Sequence, residues 1–111
     1  MNAPNRLNRM ATEVTLDELE DAIKRGFYVL DVRESDEWNE GHVPGAKHIP
    51  LGSLQERIDE VDDATRVFVV CRSGKRSLEG ARILEENGID AVSVAGGTLG
   101  WLQSGRDVVV A

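Results

Sequence analysis

Cysteine is nearly absent from this sequence. Cys71 is the only one in 111 residues, so the chain cannot close an internal disulfide. Histidine occurs twice, and neither His42 nor His48 has partners at the spacing of a metal site. The sequence therefore predicts neither a disulfide scaffold nor a metal centre.

A surplus of positive charge and a long apolar run are also missing. The 20 aspartate and glutamate residues outnumber the 13 lysine and arginine residues, and the formal net charge is −7. This balance argues against nucleic acid as the main partner, because phosphate binding requires a basic face. No apolar run approaches the roughly 20 residues of a membrane span, and no hydrophobic segment in residues 1–14 resembles a signal peptide. We therefore expect a cytoplasmic protein without nucleic-acid or membrane partners.

The length of the chain suits one domain with one hydrophobic core. Residues 1–11 are polar and lack periodicity, so we expect a loose tail there and a single domain over 12–111. Thr15 to Glu18 form a capping-box pattern that starts a helix, and Gly26 is placed to end it. The other predicted strands and helical stretches alternate: strands at 27–32, 66–71 and 91–97, and helical spacing in 34–41, 51–61, 77–87 and 98–103.

This alternation predicts an α/β fold with a parallel sheet covered by helices on both faces. Residues 42–50 are expected to form a shaped loop with a short extended piece, whereas the apolar end, 107–111, fits no element. Functional sites in such sheets gather at the carboxyl ends of the strands. Cys71 is predicted to lie at such an end.

The backbone after Cys71 is suited to holding a thiolate, the reactive form of a thiol whose ordinary pKa is roughly 8.5. The loop leads into a helix N-terminus, which attracts anions. Gly74 permits a left-handed backbone, so that successive N–H groups can turn towards one anion. Ser77 is expected either to cap the helix or to donate a hydrogen bond to the sulfur.

Three cations, Arg72, Lys75 and Arg76, follow the cysteine directly and would also favour its charged form. The alternative is that Cys71 is a small buried hydrophobe at a strand end and that the basic residues form a solvated turn. The position of the loop together with its composition favours the reactive thiol.

Three motifs resemble those of the rhodanese family of sulfurtransferases. "CRSGKRS", 71–77, matches the active-site loop C-x-x-G-x-R-[S/T]. "VLDVRESDEWNEGHVPGAKHIP", 29–50, is similar to the stretch with the D-V-R-E and G-H-[IV]-P-G-A elements, and "VAGGTLGW", 94–101, to the G-G-x-x-x-W close. They occur in the family order across about residues 13 to 103.

The resemblance implies a three-layer sandwich with a central five-stranded, mainly parallel sheet and helices on both faces. It implies that Cys71 takes a sulfur atom from a small anionic donor such as thiosulfate, becomes a persulfide, and passes the sulfur to cyanide, a small thiol or a protein thiol, with no cofactor. Asp31 and Arg33 are expected to support the loops by ion pairing. The residues expected to bind substrate are Arg72, Ser73, Gly74, Lys75, Arg76 and Ser77.

Two alternatives use the same fold. One is a non-catalytic module that binds a partner, although this chain keeps the cysteine that inactive modules often lack. The other is a persulfide carrier loaded by a partner protein. The four residues between Cys71 and Arg76 favour sulfur over phosphate chemistry, since the related phosphatases have a longer loop.

Other residues receive structural interpretations. Trp38 and Trp101 are expected to be core anchors, with Trp101 after a glycine pair that lets backbone approach the Cys71 loop. His42 is expected to make a packing or hydrogen-bonding contact. Glu34 and Glu37 are expected to cap a short helix or to face solvent.

Overall fold

Five short strands form one sheet in the order β1-β5-β4-β2-β3, and every strand pairing is parallel. The computed structural model describes residues 11–110. The strands are β1 (Glu13–Val14), β2 (Tyr28–Asp31), β3 (Lys47–His48), β4 (Val67–Val70) and β5 (Ala91–Val94). The helices are α1 (Leu16–Lys24), α2 (Ser35–Glu40), α3 (Lys75–Glu86) and α4 (Gly97–Gln103). The expected α/β sandwich with a five-stranded parallel sheet is confirmed.

Alternate residues of β4 divide the hydrophobic core into two layers. Val67, Val69 and Cys71 pack on the face covered by α3, whereas Phe68 and Val70 pack on the face covered by α1 and α4. All four residues of β4 are buried because the sheet is covered on both faces. Cys71 therefore follows the central strand of the sheet and lies on the α3 side.

The start of α1 confirms the capping pattern read from the sequence. Thr15 Oγ1 accepts from the backbone N–H of Glu18 at 3.1 Å, and Glu18 Oε1 accepts from the Thr15 N–H at 2.9 Å. Gly26 follows the last turn with a left-handed φ of 81°. The helix is thus fixed at both ends by local sequence.

The helix expected over 51–61 is absent. This segment instead contains two 3₁₀ turns, Leu51–Ser53 and Ile58–Glu60. The helix is interrupted at Arg57, where the backbone leaves the helical region with φ −109° and ψ 22°. Leu54 and Val61 are nevertheless buried, so the spacing of apolar residues in 51–61 reflects their packing in the core and not a continuous helix.

Several other segments also differ from expectation. Helix α3 begins at Lys75 rather than Ser77. Ala11, assigned to the tail, is buried, whereas 1–10 and 111 lie outside the described residues. The apolar end that fitted no element forms an antiparallel bridge between Val109 and His42. Within 11–110, none of the helices has both the length and the apolar composition to cross a bilayer.

Candidate active site

The Cys71 loop joins the central strand β4 to α3. Cys71 is 1 % exposed, whereas Arg72, Ser73 and Lys75 are exposed. The sulfur thus lies at the floor of a short loop whose rim faces solvent. This is the carboxyl end of a parallel strand, where sites of such sheets form.

Backbone N–H groups converge on the sulfur. Gly74 adopts a left-handed conformation with φ 108° as the residue that precedes α3. Its N–H donates to Cys71 Sγ at 3.2 Å, and the N–H of Ser77 donates to the same atom at 3.3 Å. A side chain at position 74 would strain this turn, so glycine is what lets the loop fold around the sulfur.

A row of two hydroxyls continues from the sulfur into the core. Ser77 Oγ lies 3.5 Å from Cys71 Sγ, and Ser93 Oγ on β5 lies 2.8 Å from Ser77 Oγ. Of the two expectations for Ser77, the contact with the sulfur is what the structure shows, since the cap of α3 is at Gly74. Sequence analysis missed Ser93, although a lone serine in the apolar strand "AVSV" was the available signal.

Hydrogen bonds set the charge state of this thiol. Burial is the largest single influence on the pKa of Cys71 and acts to raise it. The hydrogen bonds from the Ser77 hydroxyl and from the N–H groups of Ser77, Gly74 and Ser73 act in the opposite direction, and the pKa of Cys71 lies below its ordinary value. The largest stabilising contributions therefore come from hydrogen-bond donors, which the sequence predicted beside the three cations.

The three loop cations have different surroundings. Arg72 and Lys75 are exposed and form no ion pair within the described residues. Arg76 donates to both carboxylate oxygens of Glu37, at 2.7 and 2.9 Å. The Arg76 hydrogen bonds hold the pKa of Glu37 at about 2, well below its ordinary value. Two of the three loop cations are thus without an ion pair in the part of the chain that the structure describes.

The Arg76–Glu37 pair could not be read from local sequence. Glu37 does cap α2, because its Oε1 accepts from the N–H of Glu34 at 3.0 Å. The same carboxylate also reaches across to α3, a contact between residues 39 positions apart. Because the capping role of Glu37 explained this residue from local sequence, the sequence did not indicate its second partner, Arg76.

Asp31 and Arg33 form a buried ion pair beside the loop. Arg33 Nε lies 3.0 Å from each Asp31 carboxylate oxygen, and Nη2 lies 2.7 Å from Oδ2. The same Nη2 donates to the carbonyl of Gly41 at 2.8 Å. The pair therefore ties the end of β2 to the end of α2, as expected for residues that support the loops.

Helix α4 closes on the Cys71 loop through backbone contacts alone. The N–H of Thr98 donates to the Cys71 carbonyl at 2.8 Å, and that of Leu99 donates to the Arg72 carbonyl at 3.0 Å. A Cβ added at Gly97 would overlap both carbonyl oxygens. This is the close approach expected from the glycine pair. Trp101, 4 % exposed, is a core residue of α4.

A cavity of about 270 Å³ opens beside the loop. Arg72 and Arg33 contribute positive charge to it, and Glu37 and Glu40 contribute negative charge. Its apolar surface comes from Leu99, Leu102 and Val108. Leu102 is 49 % exposed, so this apolar surface reaches the outside of the molecule.

The two histidines flank Trp38 rather than Cys71. His42 stacks on the indole with ring centroids 3.5 Å apart, and its Nδ1 donates to the carbonyl of Trp38 at 3.1 Å. His48 stacks at 4.8 Å, and its Nε2 donates to the carbonyl of Arg33 at 2.7 Å. Both side chains are engaged in packing, as expected for His42. Nowhere in residues 11–110 do three or more potential ligand side chains gather as a metal site would require.

Comparisons with known proteins agree with this geometry. The family model described as the rhodanese-like domain matches residues 15–104. The putative sulfurtransferase YtwF of Bacillus subtilis is 39% identical over 75 residues, which cover 68% of this chain and 73% of that protein. The thiosulfate sulfurtransferase GlpE of Coxiella burnetii is 35% identical over 79 residues, which cover 70% of this chain and 74% of GlpE.

Two further similarities extend the comparison. The putative sulfur carrier protein YrkF of Bacillus subtilis is 38% identical over 74 residues, which cover 66% of this chain but only 40% of YrkF. The crystal structure of a rhodanese-related protein from Thermoplasma volcanium superposes with a TM-score of 0.84 at 30% identity, covering 90% of this chain and 99% of that one. From its family model, its relatives and its fold, this chain belongs to the rhodanese-like domain family.

Proposed function

We propose that the chain is a sulfurtransferase of the rhodanese type that uses Cys71 as its nucleophile. Relatives named sulfurtransferase and sulfur carrier support sulfur transfer as the general class of chemistry. The observation that carries the proposal is the convergence of the Gly74 and Ser77 N–H groups on Cys71 Sγ. These donors stabilise negative charge on sulfur in the thiolate, and the same loop is the place for the charged outer sulfur of a persulfide.

The first half-reaction is an attack by the Cys71 thiolate on the outer sulfur of thiosulfate. A Sγ–S bond forms, the sulfur–sulfur bond of thiosulfate breaks, and its electron pair leaves with sulfite. The total charge of −3 is the same before and after, as persulfide anion and sulfite dianion replace thiolate and thiosulfate dianion. No proton needs to move, so no general base is required, in agreement with the packing roles of the two histidines.

The second half-reaction returns the thiolate. A thiophilic acceptor, either cyanide or a thiolate, attacks the outer sulfur, and the Sγ–S bond breaks with its electron pair staying on Cys71. Because the rim of the loop is exposed, a protein thiol is included among the acceptors. A lone thiol stays reduced in the cytoplasm, where we place the reaction.

Arg72 and Lys75 attract the anionic donor. Both are exposed, lie within four positions of Cys71 in the sequence, and, unlike Arg76, form no ion pair with any residue of 11–110. Arg72 also lines the cavity beside the loop. Exposed cations act through long-range attraction, so we expect them to raise the rate of donor capture rather than the reactivity of the thiolate.

Mass spectrometry after incubation with thiosulfate tests the proposal. The wild type is expected to gain one sulfur atom and to lose it, as thiocyanate, when cyanide is added. Cys71→Ser should gain nothing. A wild type that gains no sulfur from thiosulfate, nor from a small persulfide, would leave the chain as a binding module and contradict the proposal.

A persulfide carrier is the second candidate, favoured by the similarity to YrkF. A carrier would load from a protein persulfide much faster than from thiosulfate. Comparing loading rates from thiosulfate, glutathione persulfide and the persulfide of a cysteine desulfurase separates the two functions.

A further inference from the structure

Ser93 is a hydroxyl in a place where only apolar side chains are expected. It lies in the middle of β5, is 0 % exposed, and follows Val92 in a strand whose four residues are all buried. Burying a hydroxyl is unfavourable unless it forms a hydrogen bond. Among the described residues, the partner of Ser93 Oγ is Ser77 Oγ at 2.8 Å.

We propose that Ser93 is a positioning residue for the nucleophile: its hydroxyl donates to Ser77 Oγ and so directs the Ser77 proton at the Cys71 sulfur. The inference rests on the proposed function, because it assigns to Ser93 the task of keeping Cys71 nucleophilic. Ser93 does not touch the sulfur itself and acts only through Ser77.

Counting protons along the row shows why this arrangement favours the thiolate. Sγ, Ser77 Oγ and Ser93 Oγ are three atoms with two gaps between them, of 3.5 and 2.8 Å. The thiolate form has two hydroxyl protons, one for each gap. The thiol form has three protons for the same two gaps, so one buried proton has no acceptor in the row. When Cys71 is ionised, every hydroxyl proton of the row therefore has an acceptor within it.

Geometry also fixes the direction of the two bonds in the thiolate form. A thiolate only accepts, so the Ser77 proton must point at the sulfur. Ser77 Oγ then has lone pairs but no proton to offer Ser93, and Ser93 must be the donor. Loss of the Ser93 hydroxyl leaves the Ser77 proton without a group that orients it.

Few other ionisable groups surround the sulfur. Helix α4 and strand β5 carry none, and the neighbouring strand β2 ends in the buried Asp31–Arg33 pair. The loop and α3 contribute Arg72 and Lys75, which are exposed, and Arg76, which is paired with Glu37. These charges are the same in wild type and in Ser93 variants, so a change in titration on substitution reports the hydroxyl row.

Titration of the thiolate by its ultraviolet absorbance tests the proposal. The chain has 1 cysteine, so the signal is unique, and Cys71→Ala supplies the blank for tyrosine. In Ser93→Ala the midpoint is expected to rise by roughly half a pH unit, the size typical of one lost hydrogen bond in a buried network. In Ser77→Ala it should rise further, and adding Ser93→Ala to that variant should change nothing more.

Two comparisons separate this role from a general effect on folding. Thr98→Val removes another buried hydroxyl near the loop, one that has no hydrogen-bond partner among the described residues, and should leave the midpoint unchanged. Ser93→Thr and Ser93→Val have the same shape and differ only in the hydroxyl. If Ser93→Ala does not fold, the comparison of Ser93→Thr with Ser93→Val replaces it. The titration midpoint of Cys71 is then expected to be lower in the threonine variant.

Three results would overturn the proposal: an unchanged midpoint in Ser93→Ala, equal midpoints in the threonine and valine variants, or a further rise when Ser93→Ala is added to Ser77→Ala. Because absorbance reports charge and not turnover, the outcome is independent of sulfur transfer. If the Ser93 variants shift the midpoint as expected but the wild type takes up no sulfur from thiosulfate, only the proposed function is contradicted. If the wild type takes up sulfur but the Ser93 variants leave the midpoint unchanged, only the role of Ser93 is contradicted.

Discussion

The two ends of the parallel sheet carry cavities of different size and chemistry. At the amino end, a cavity of about 690 Å³ lies between α1 and the residues that precede the strands, with Phe27 and Phe68 in edge-to-face contact along it. Its arginines are already paired, Arg25 with Asp21 and Arg66 with Asp90. The cavity beside the Cys71 loop is smaller, at about 270 Å³.

Under the proposed function, the difference indicates that the candidate active site is marked by convergent hydrogen-bond donors and not by cavity size. At the carboxyl end, the two N–H groups and the Ser77 hydroxyl meet at one sulfur atom, and two exposed cations remain unpaired within the described residues. At the amino end, both arginines of the cavity are paired with carboxylates. Five variants, taken in four steps, test this contrast between the two ends.

The largest effect is expected at Gly97. Alanine there would place its Cβ against the carbonyl oxygens of Cys71 and Arg72 and push α4 away from the loop. A shift of about 1 Å in catalytic groups lowers activity roughly a hundredfold, and we expect a loss of that order in steady-state turnover. Gly96→Ala is the matched control, because Gly96 also has a positive φ, 85°, but its added Cβ meets nothing closer than 3.8 Å. Equal losses in the two variants would show that backbone strain, and not the close approach, matters.

Removal of the exposed cations should have the next largest effect. Arg72→Ala and Lys75→Ala are each expected to lower kcat/KM for thiosulfate by about tenfold at low salt, because they attract a dianion over long range. The loss should shrink at high ionic strength, and alkylation by the neutral reagent iodoacetamide should be unaffected. Equal losses at low and high salt would assign these residues to direct contact instead.

Glu37→Gln is expected to lower the melting temperature of the protein and to have less effect on sulfur transfer. The pKa of Glu37 is held at about 2, below the ordinary 4.5, so its ion pair with Arg76 contributes fully above the unfolded pKa. That contribution is lost as pH falls through the folded pKa. The difference in melting temperature between wild type and Glu37→Gln should therefore be constant near neutrality and narrow as the pH falls from about 4.5 to about 2.

Glu56→Gln, at an exposed position, is the control. A difference that does not change with pH would contradict the ion pair.

The smallest effect is expected at the amino end. Arg66 and Asp90 are 46% and 58% exposed in their side chains, and such surface pairs contribute at most about 1 kcal/mol. Arg66→Ala should thus leave kcat/KM for thiosulfate unchanged and lower the melting temperature only slightly. A tenfold loss of sulfur transfer would show that the amino end participates in the reaction.

Local sequence rules accounted for much of the carboxyl end. The capping box of α1 and the left-handed Gly74 each depend on residues within a few positions of one another, and the glycine pair at Gly97 indicated a close approach of backbone. The first two features are readable because their cause lies in the backbone of the segment itself. At Gly97 only the glycine pair is local, and its contact with Cys71 and Arg72 joins segments that are distant in sequence.

Features that depend on tertiary contacts were not readable. The partner of Glu37 is 39 residues away, and Ser93 meets Ser77 only because β5 lies beside β4. Likewise, the spacing in 51–61 predicted a helix, because burial of Leu54 and Val61 leaves the same pattern whichever way the backbone turns. The sequence indicated Cys71 as the candidate nucleophile but not the row of two hydroxyls beside its sulfur.

The central claim is that hydrogen-bond donors of the loop keep the Cys71 sulfur anionic. The most direct measurement is the pKa of Cys71 in the wild-type protein, obtained from thiolate absorbance against Cys71→Ala. The structure predicts a pKa below the ordinary value for a cysteine, since the hydrogen bonds from Ser77, Gly74 and Ser73 together outweigh burial. A pKa at or above the ordinary value would contradict the account, because burial would then dominate and the sulfur would be a neutral core atom.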